Sequence, residues 1–172
     1  MAGKQLISAD DLRKVLLYEP ETGVFTWKVD RMCGRYSKQF AARAGQRAGS
    51  LTSNGRVQLR VLGKNYKAHV LAWVYHYGSA PASEIDHING IASDNRILNL
   101  RLATRRVNNQ NHRKANKNNA LGVQGVKRNR NRFIAQLTVD GKTKHLGSFD
   151  SPEEAHAAYL EAKRKHHEGC TL

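Results

Sequence analysis

Between positions 86 and 108 the chain sets Asp86 beside His87, then Asn99, then Asn108. Those residue types suit one chemistry, the metal-assisted hydrolysis of a phosphodiester. Such a reaction needs an activated water, a cation at the scissile phosphate and charge stabilisation on the departing oxygen. A neutral imidazole can take a proton from water near pH 7. A carboxylate with an amide oxygen can hold a hard divalent ion and leave positions for phosphate and water. Adjacent strand residues point to opposite faces, so Asp86 and His87 can serve one site only where the strand bends or ends. An isolated Asp-His pair would be read as an ordinary strand histidine beside a turn; the whole spaced set argues against that.

The elements that must position these groups follow from the flanking pattern. Glu84-Ile85-Asp86-His87-Ile88 predicts a short strand, with Asn89-Gly90 as its turn. Leu98, Leu100 and Leu102 alternate as a returning strand, and Thr104 caps a helix running to about His112. This predicts a strand, loop, strand, helix unit in which His112 falls one helical turn beyond Asn108. Upstream, Asp10 or Asp11 can cap a helix through Leu12, Val15 and Leu16 that Pro20 ends, followed by an extended Val24-Phe25-Thr26-Trp27. Residues 31–50 read as a loop. Arg56 to Val61 and Tyr66 to Ala68 predict a hairpin about Leu62-Gly63, and His69 to Tyr77 a helix stopped by Gly78 and Pro81. On that helix His69 and His76 read as packing or surface histidines, and Asn95 as a turn residue.

The motif set Asp86-His87-Ile88-Asn89-Gly90, Asp94-Asn95-Arg96, Asn99-Leu100-Arg101 and Ala103-Thr104 … Asn108 resembles the HNH endonucleases of the phage and intron homing type. The resemblance implies a ββα-metal site in which His87 is the general base and Asp86 with Asn108 binds the ion. Asn99 would be the middle residue that fixes the loop and the imidazole by hydrogen bonds. With Asn rather than His at the third motif position the ligands are oxygens, which favours Mg²⁺ or Mn²⁺ over zinc.

Residues 113–120 are polar, basic and aperiodic, a linker. Beyond them the chain predicts strands over 125–128, 132–139 and 142–146, with Asp140-Gly141 as a tight hairpin turn. Ser151-Pro152-Glu153-Glu154 is a capping box opening a helix with Ala155, Ala158, Tyr159 and Ala162 on one stripe. From about Leu121 to His166 the chain resembles the DNA-binding domain of plant ethylene-response (apetala-type) factors, which also occurs appended to phage HNH nucleases. The resemblance rests on Gly125-Val126, Phe133 to Leu137, His145 to Asp150 and the Glu154 to Tyr159 helix, and implies a sheet lying in the major groove. Alternation turns Phe133, Ala135, Leu137 and Val139 to the helix and leaves Arg132, Ile134, Gln136 and Thr138 open. Lys127, Arg128, Asn129, Arg130, Thr143 and His145 extend the open side, offering cations for phosphates and polar groups for base edges. Arg101, Arg105, Arg106, Arg113 and Lys114 would carry the phosphate track toward the catalytic unit.

Composition supports that partner. The chain has 29 Lys and Arg against 14 Asp and Glu, net +15 with a pI near 10.2. Residues 101–145 hold 12 basic and 1 acidic residue, so +11 of the excess lies there. A field of that sign and density suits a polyanion. No apolar run approaches the ~18 residues of a bilayer span, and Met1 to Leu17 lacks a signal-peptide pattern. The expectation is a cytoplasmic protein, in the host cell if phage-encoded, with no membrane or small-molecule substrate. Cys33 and Cys170 form no Cys-x-x-Cys pair and read as unremarkable thiols.

The resulting expectation is an α+β chain. Residues 1–112 would hold a small α/β region and the ββα-metal unit at about 84–112, residues 113–120 a linker, and 121–172 a three-stranded antiparallel sheet packed on one helix. Its activity would be that of a metal-dependent endonuclease nicking double-stranded DNA as a monomer. The rivals are a DNA-binding regulator with an inactive site and an RNA-binding accessory protein. The scarcity of aromatics on the open sheet face argues against the latter.

Overall fold

The computed structural model describes residues 6–32, 40–116 and 118–171; Cys33 lies outside them. The chain divides into two units, Met1–Ala103 and Thr104–Leu172.

In the first unit α1 (Ala9–Val15) is capped by Ser8, whose Oγ accepts the Asp11 N–H. The expected cap at Asp10 or Asp11 thus falls two or three residues too late: both carboxylates sit inside the first turn, where they complement the helix dipole. The helix also stops sooner than its i, i+3, i+4 spacing predicts. Leu16 opens β1 (Leu16–Glu19), which pairs antiparallel with β2 (Val24–Trp27) around a turn at Pro20 to Gly23. Leu16 and Tyr18 face the core while Leu17 and Glu19 face out, a period of two that overrides the helical reading. Residues 31–50 are not wholly loop: β3 (Arg31–Met32), β4 (Phe40–Ala42) and the first residue of β5 (Ser50–Leu51) are extended. The expected hairpin is β6 (Val57–Val61) and β7 (Lys64–Lys67), and β5 pairs with β6.

The helix α2 (Ala68–Tyr77) ends at Gly78, whose φ of 77° is the left-handed conformation that a C-terminal glycine supplies. It buries Leu71, Ala72 and Val74 against Leu12, Leu59 and Val61, in one cluster that also takes in Tyr18, Phe25, Trp27, Ile85, Ile97 and Leu100. Fully burying each such aliphatic side chain is worth about 1.5–3 kcal/mol. Two strands close the unit: β8 (Glu84–His87) and β9 (Leu100–Ala103), antiparallel, with Asp86 opposite Arg101 and His87 opposite Leu100. A 3₁₀ turn at Ile97–Asn99 precedes β9, and it leaves Leu98 exposed instead of alternating with Leu100 and Leu102 as part of a strand.

The second unit opens with α3 (Arg105–Gln110), capped by Thr104 through the Val107 N–H. It ends two residues before His112, so His112 does not continue the helical face of Asn108. Hydrogen bonds tie the end of α3 to the C-terminal segment: Gln110 Oε1 accepts the Gly169 N–H, and the Thr171 hydroxyl donates to Asn111 Oδ1.

The sheet is β10 (Val126–Asn129), β11 (Arg132–Val139) and β12 (Lys142–Phe149), antiparallel in that order. The last strand runs three residues beyond the expected 142–146. The helix α4 (Pro152–His166) packs on the sheet, with the Ser151 cap as expected. Its stripe contains one residue that the apolar pattern omits. Lys163 is buried at 1 % exposure, and its ammonium donates to the carbonyl of His112 and to Gln124 Oε1. Gly125 is required where it stands: at φ 75° a Cβ would meet the Tyr159 ring at 2.0 Å.

Candidate active site

His87 is the last residue of β8, and the chain turns there, with the Gly90 N–H donating to the His87 carbonyl. The loop between β8 and β9 is closed on itself by its own amides. Asn99 is its clasp: Oδ1 accepts the Asn89 N–H at 2.9 Å, Nδ2 donates to the Asp94 carbonyl at 2.8 Å, and its carbonyl accepts the Ile88 N–H. Asp94 adds a second clip, accepting from Arg96 Nε and Nη2 and from Asn89 Nδ2 at 2.6 to 2.9 Å. The Arg96 guanidinium beside it holds the Asp94 carboxyl down at about 2.

Asn95 and His69 touch the His87 ring. Asn95, 2 % exposed, places Oδ1 3.4 Å from His87 Nε2, and its amide is oriented by donation from Nδ2 to the Ser93 carbonyl. His69, from α2, meets the ring edge to face with centroids 5.0 Å apart and planes at 83°. Burial pushes the His87 imidazole below its ordinary range, aided by the positive charge of Arg56 and opposed by Asn95 and the carboxylates of Asp86 and Asp94. His87 is therefore neutral at physiological pH, the form that can take a proton. His69 is pushed further, to about 3, first by burial and then by the His87 ring and Arg56. The expectation of a packing or surface role for His69, and of a turn role for Asn95, omitted their contact with His87. No local pattern signals it, because His69 reaches the ring from another element and Asn95 through the fold of its loop.

The loop is supported from the N-terminal hairpin. The Tyr18 hydroxyl donates to the Asn95 carbonyl at 2.7 Å, and burial keeps that phenol protonated by pushing it up. The Ile97 N–H donates to the Pro20 carbonyl. Gly23, at φ 71°, lies so close that a Cβ there would stand 2.4 Å from the Arg96 nitrogen.

Asp86 is buried, and its Oδ2 accepts from Arg101 Nε at 2.9 Å and Nη2 at 2.8 Å. Asn108 stands half-buried on α3, in the second unit. Among the described residues no three His, Cys, Asp or Glu side chains cluster as a metal cage. The carboxylate of Asp86 and the amide of Asn108 are hard oxygen donors of the fitting type.

On the sheet of the second unit, Gln136 pairs with His145 and Thr138 with Thr143, so these four share the open face; the two threonine hydroxyls are 3.3 Å apart. Lys127 is opposite Ile134 and Asn129 opposite Arg132 on that same parity, whereas Arg128 is opposite Phe133 and so belongs to the other. A bulge at Ala135/Gln136 shifts the register of β12 and lets Leu146 join the core. Several of the expected phosphate contacts have intramolecular partners. Arg106 pairs with Asp140, Arg113 donates to Thr171, Arg128 to the Arg130 carbonyl, and Arg132 to the Ser148 carbonyl with Asp150 nearby. Arg105, Lys114 and Arg130 are exposed.

Among the described residues no helix is long and apolar enough to cross a membrane. No curated protein and no solved structure matches the chain. Residues 66–110, from the end of β7 through α2 and the β8–β9 pair to the end of α3, match the family model of the HNH endonucleases, a similarity that supports a nuclease hydrolase with DNA as its substrate, of a kind that generally uses a divalent metal.

Proposed function

We propose that the protein is a metal-dependent DNA endonuclease of the homing type that nicks duplex DNA, acting as a monomer in the cytoplasm. The observation that carries this reading is a buried His87 at the end of a strand, in a loop clasped by Asn99, inside the stretch that matches the HNH endonucleases. In this reading the His87 imidazole takes the proton of the attacking water. Asn95 and His69 hold its ring, and Asn99 with Asp94 keeps the loop from shifting under it, so that little reorganisation remains at the moment of reaction. What an ion held by Asp86 and Asn108 supplies is positive charge beside the scissile phosphate and the leaving 3′-oxygen. Its hard oxygen ligands favour Mg²⁺ or Mn²⁺ over zinc.

The sheet of the second unit is the reader in this proposal, as in the ethylene-response-factor type of domain. Gln136, Thr138, Thr143 and His145 offer donors and acceptors to base edges on one face. Lys127, Arg130 and Arg132 with Arg101, Arg105, Arg106, Arg113 and Lys114 supply cations for the backbone. Arg128, on the opposite parity, serves a phosphate at the sheet edge.

The test is plasmid nicking by the full chain with Mg²⁺ or Mn²⁺, with and without chelator, beside a gel-shift measurement. Wild type should convert supercoiled to open-circular plasmid only with free metal. His87→Ala should lower the rate by at least about a thousandfold, the scale of a lost general base or more, and leave DNA affinity within about twofold. Binding with no metal-dependent nicks would identify a regulator with an inactive site, and full cutting by His87→Ala would remove the assignment of the base.

A further inference from the structure

The residue that holds Asp86 is itself a cation. Asp86 and Arg101 are directly opposed across the β8–β9 pair, so both side chains leave the same face. Two guanidinium nitrogens converge on one carboxylate oxygen at 2.8 and 2.9 Å. The pair is unequal in exposure: the Asp86 side chain is 6 % exposed and that of Arg101 28 %. A carboxylate that deep needs a counter-charge, and Arg101 supplies one in the protein alone. A divalent ion at Asp86 would be a second cation for the same group, repelled by a guanidinium a few ångströms away. Arg101 has another partner that would suit it, because its planar fork matches the oxygens of a phosphodiester as well as those of a carboxylate. With DNA and metal both present, every charge then has a partner: guanidinium with phosphate, ion with carboxylate.

We propose that Arg101 is the cation that occupies the Asp86 carboxylate in the DNA-free protein and yields it to a divalent ion as it moves to a backbone phosphate. Arg101 thereby sets the metal affinity of the site and ties metal loading to DNA. This rests on the reading of Asp86 as a metal ligand.

The experiment measures Mn²⁺ binding to the DNA-free full chain by the loss of the free-ion signal in electron paramagnetic resonance. Arg101→Gln, which removes the charge but keeps hydrogen-bonding donors, should bind Mn²⁺ about tenfold more tightly than wild type, as expected for removing one positive charge beside the ion. Arg101→Lys, which keeps the charge, should stay within about twofold of wild type. An Arg101→Gln protein that binds Mn²⁺ no more tightly than wild type overturns the inference. An Asp86→Asn protein that binds as tightly as wild type overturns instead the reading of Asp86 as a ligand. Should Arg101→Gln not fold, the wild-type Arg101 Nε–H resonance answers the same question. It should shift on addition of Mg²⁺ with a short duplex, and an unmoved resonance at saturation defeats the proposal.

Discussion

Asn95 and His69 both meet the ring of His87, and they differ in what they can be asked to do. Asn95 offers a polar contact, but at 3.4 Å it is long for a hydrogen bond and cannot by itself fix the plane of the imidazole. His69 offers a wall: a buried, neutral ring set edge to face, a geometry worth about 0.5–1.5 kcal/mol beyond area burial. Its Nδ1 is buried without a hydrogen-bond partner, so the ring is retained there despite a polar cost. Shape is then the property that matters, and a phenyl ring should reproduce it. His69→Ala should lower kcat for nicking about tenfold with KM for DNA nearly unchanged. His69→Phe should recover kcat to within about threefold of wild type and remove the orphaned nitrogen. Single-turnover nicking at a temperature where melting curves show both variants folded is the check; a phenylalanine variant as slow as the alanine one would count against a role through shape. At this scale the sequence was partly legible. Asp86, His87 and Asn99 announce themselves because their spacing is local; Asn99 closes the loop by hydrogen bonds, while the amide set 3.4 Å from the imidazole is that of Asn95. His69 was passed over because its contact with His87 is made across the fold.

At the scale of elements, the site loop depends on a hairpin that the periodic reading did not find. Leu12, Val15 and Leu16 lie at helical spacing, yet Leu16 already belongs to the alternation Leu16, Tyr18 in and Leu17, Glu19 out. The two periods overlap at one residue, and burial of Tyr18 beside Phe25, ring centroids 4.7 Å apart, decides for the strand. The consequence is functional. The β1–β2 turn presents the Pro20 carbonyl to Ile97, the Tyr18 hydroxyl to Asn95, and at Gly23 a bare Cα to the Asn95–Arg96 backbone. Gly23→Ala would force its methyl to within 2.4 Å of Arg96 nitrogen and 2.5 Å of the Asn95 carbonyl carbon, and at φ 71° the backbone itself resists a side chain. Backbone atoms cannot rotate aside as a side-chain tip can. The variant should lose about 2 kcal/mol or more of first-unit stability, and its nicking should fall further than its DNA binding, since the residues assigned to reading lie in the other unit. Urea unfolding with parallel gel-shift and nicking assays separates the two effects; unchanged stability and rate would mean that the hairpin does not support the loop. By contrast the strands, capping box and hairpin turn of residues 125–166 follow from local signals, although α3, expected within residues 1–112, falls in the second unit. The length of β12 and the buried Lys163 also escaped, one hidden by a bulge that breaks the period of two, the other by a charge in an apolar stripe.

For the whole molecule the net charge of +15 has an uneven distribution that separates two demands. The excess at residues 101–145 is of the sign and density that suits a polyanion. The first unit instead must keep imidazoles uncharged inside a basic chain, and this makes its stability depend on pH in a direction that can be worked out. His69 has a folded value of about 3 against an ordinary value near 6.5. Below pH 6.5 the unfolded chain therefore binds a proton that the folded unit refuses, so stability falls as the pH drops from about 6.5 toward 3, and His87, displaced in the same direction, adds to the slope. Asp94 acts later: its folded value of about 2 lies below the unfolded one, so its contribution is intact above pH 4 and fades only below that. Between pH 7 and 4.5 the slope thus belongs to the buried histidines, with His69 alone worth on the order of 2 kcal/mol. Both tryptophans, Trp27 and Trp73, lie in the first unit, so their fluorescence reports its unfolding without interference from the second. The urea midpoint followed by tryptophan emission should fall steadily from pH 7 to pH 4.5, and in His69→Phe the fall should be markedly smaller while the value at pH 7 is at least that of wild type. A wild-type midpoint that stays level across that range would show that His69 is protonated in the folded protein, and with it that the ring beside His87 is charged rather than a neutral wall.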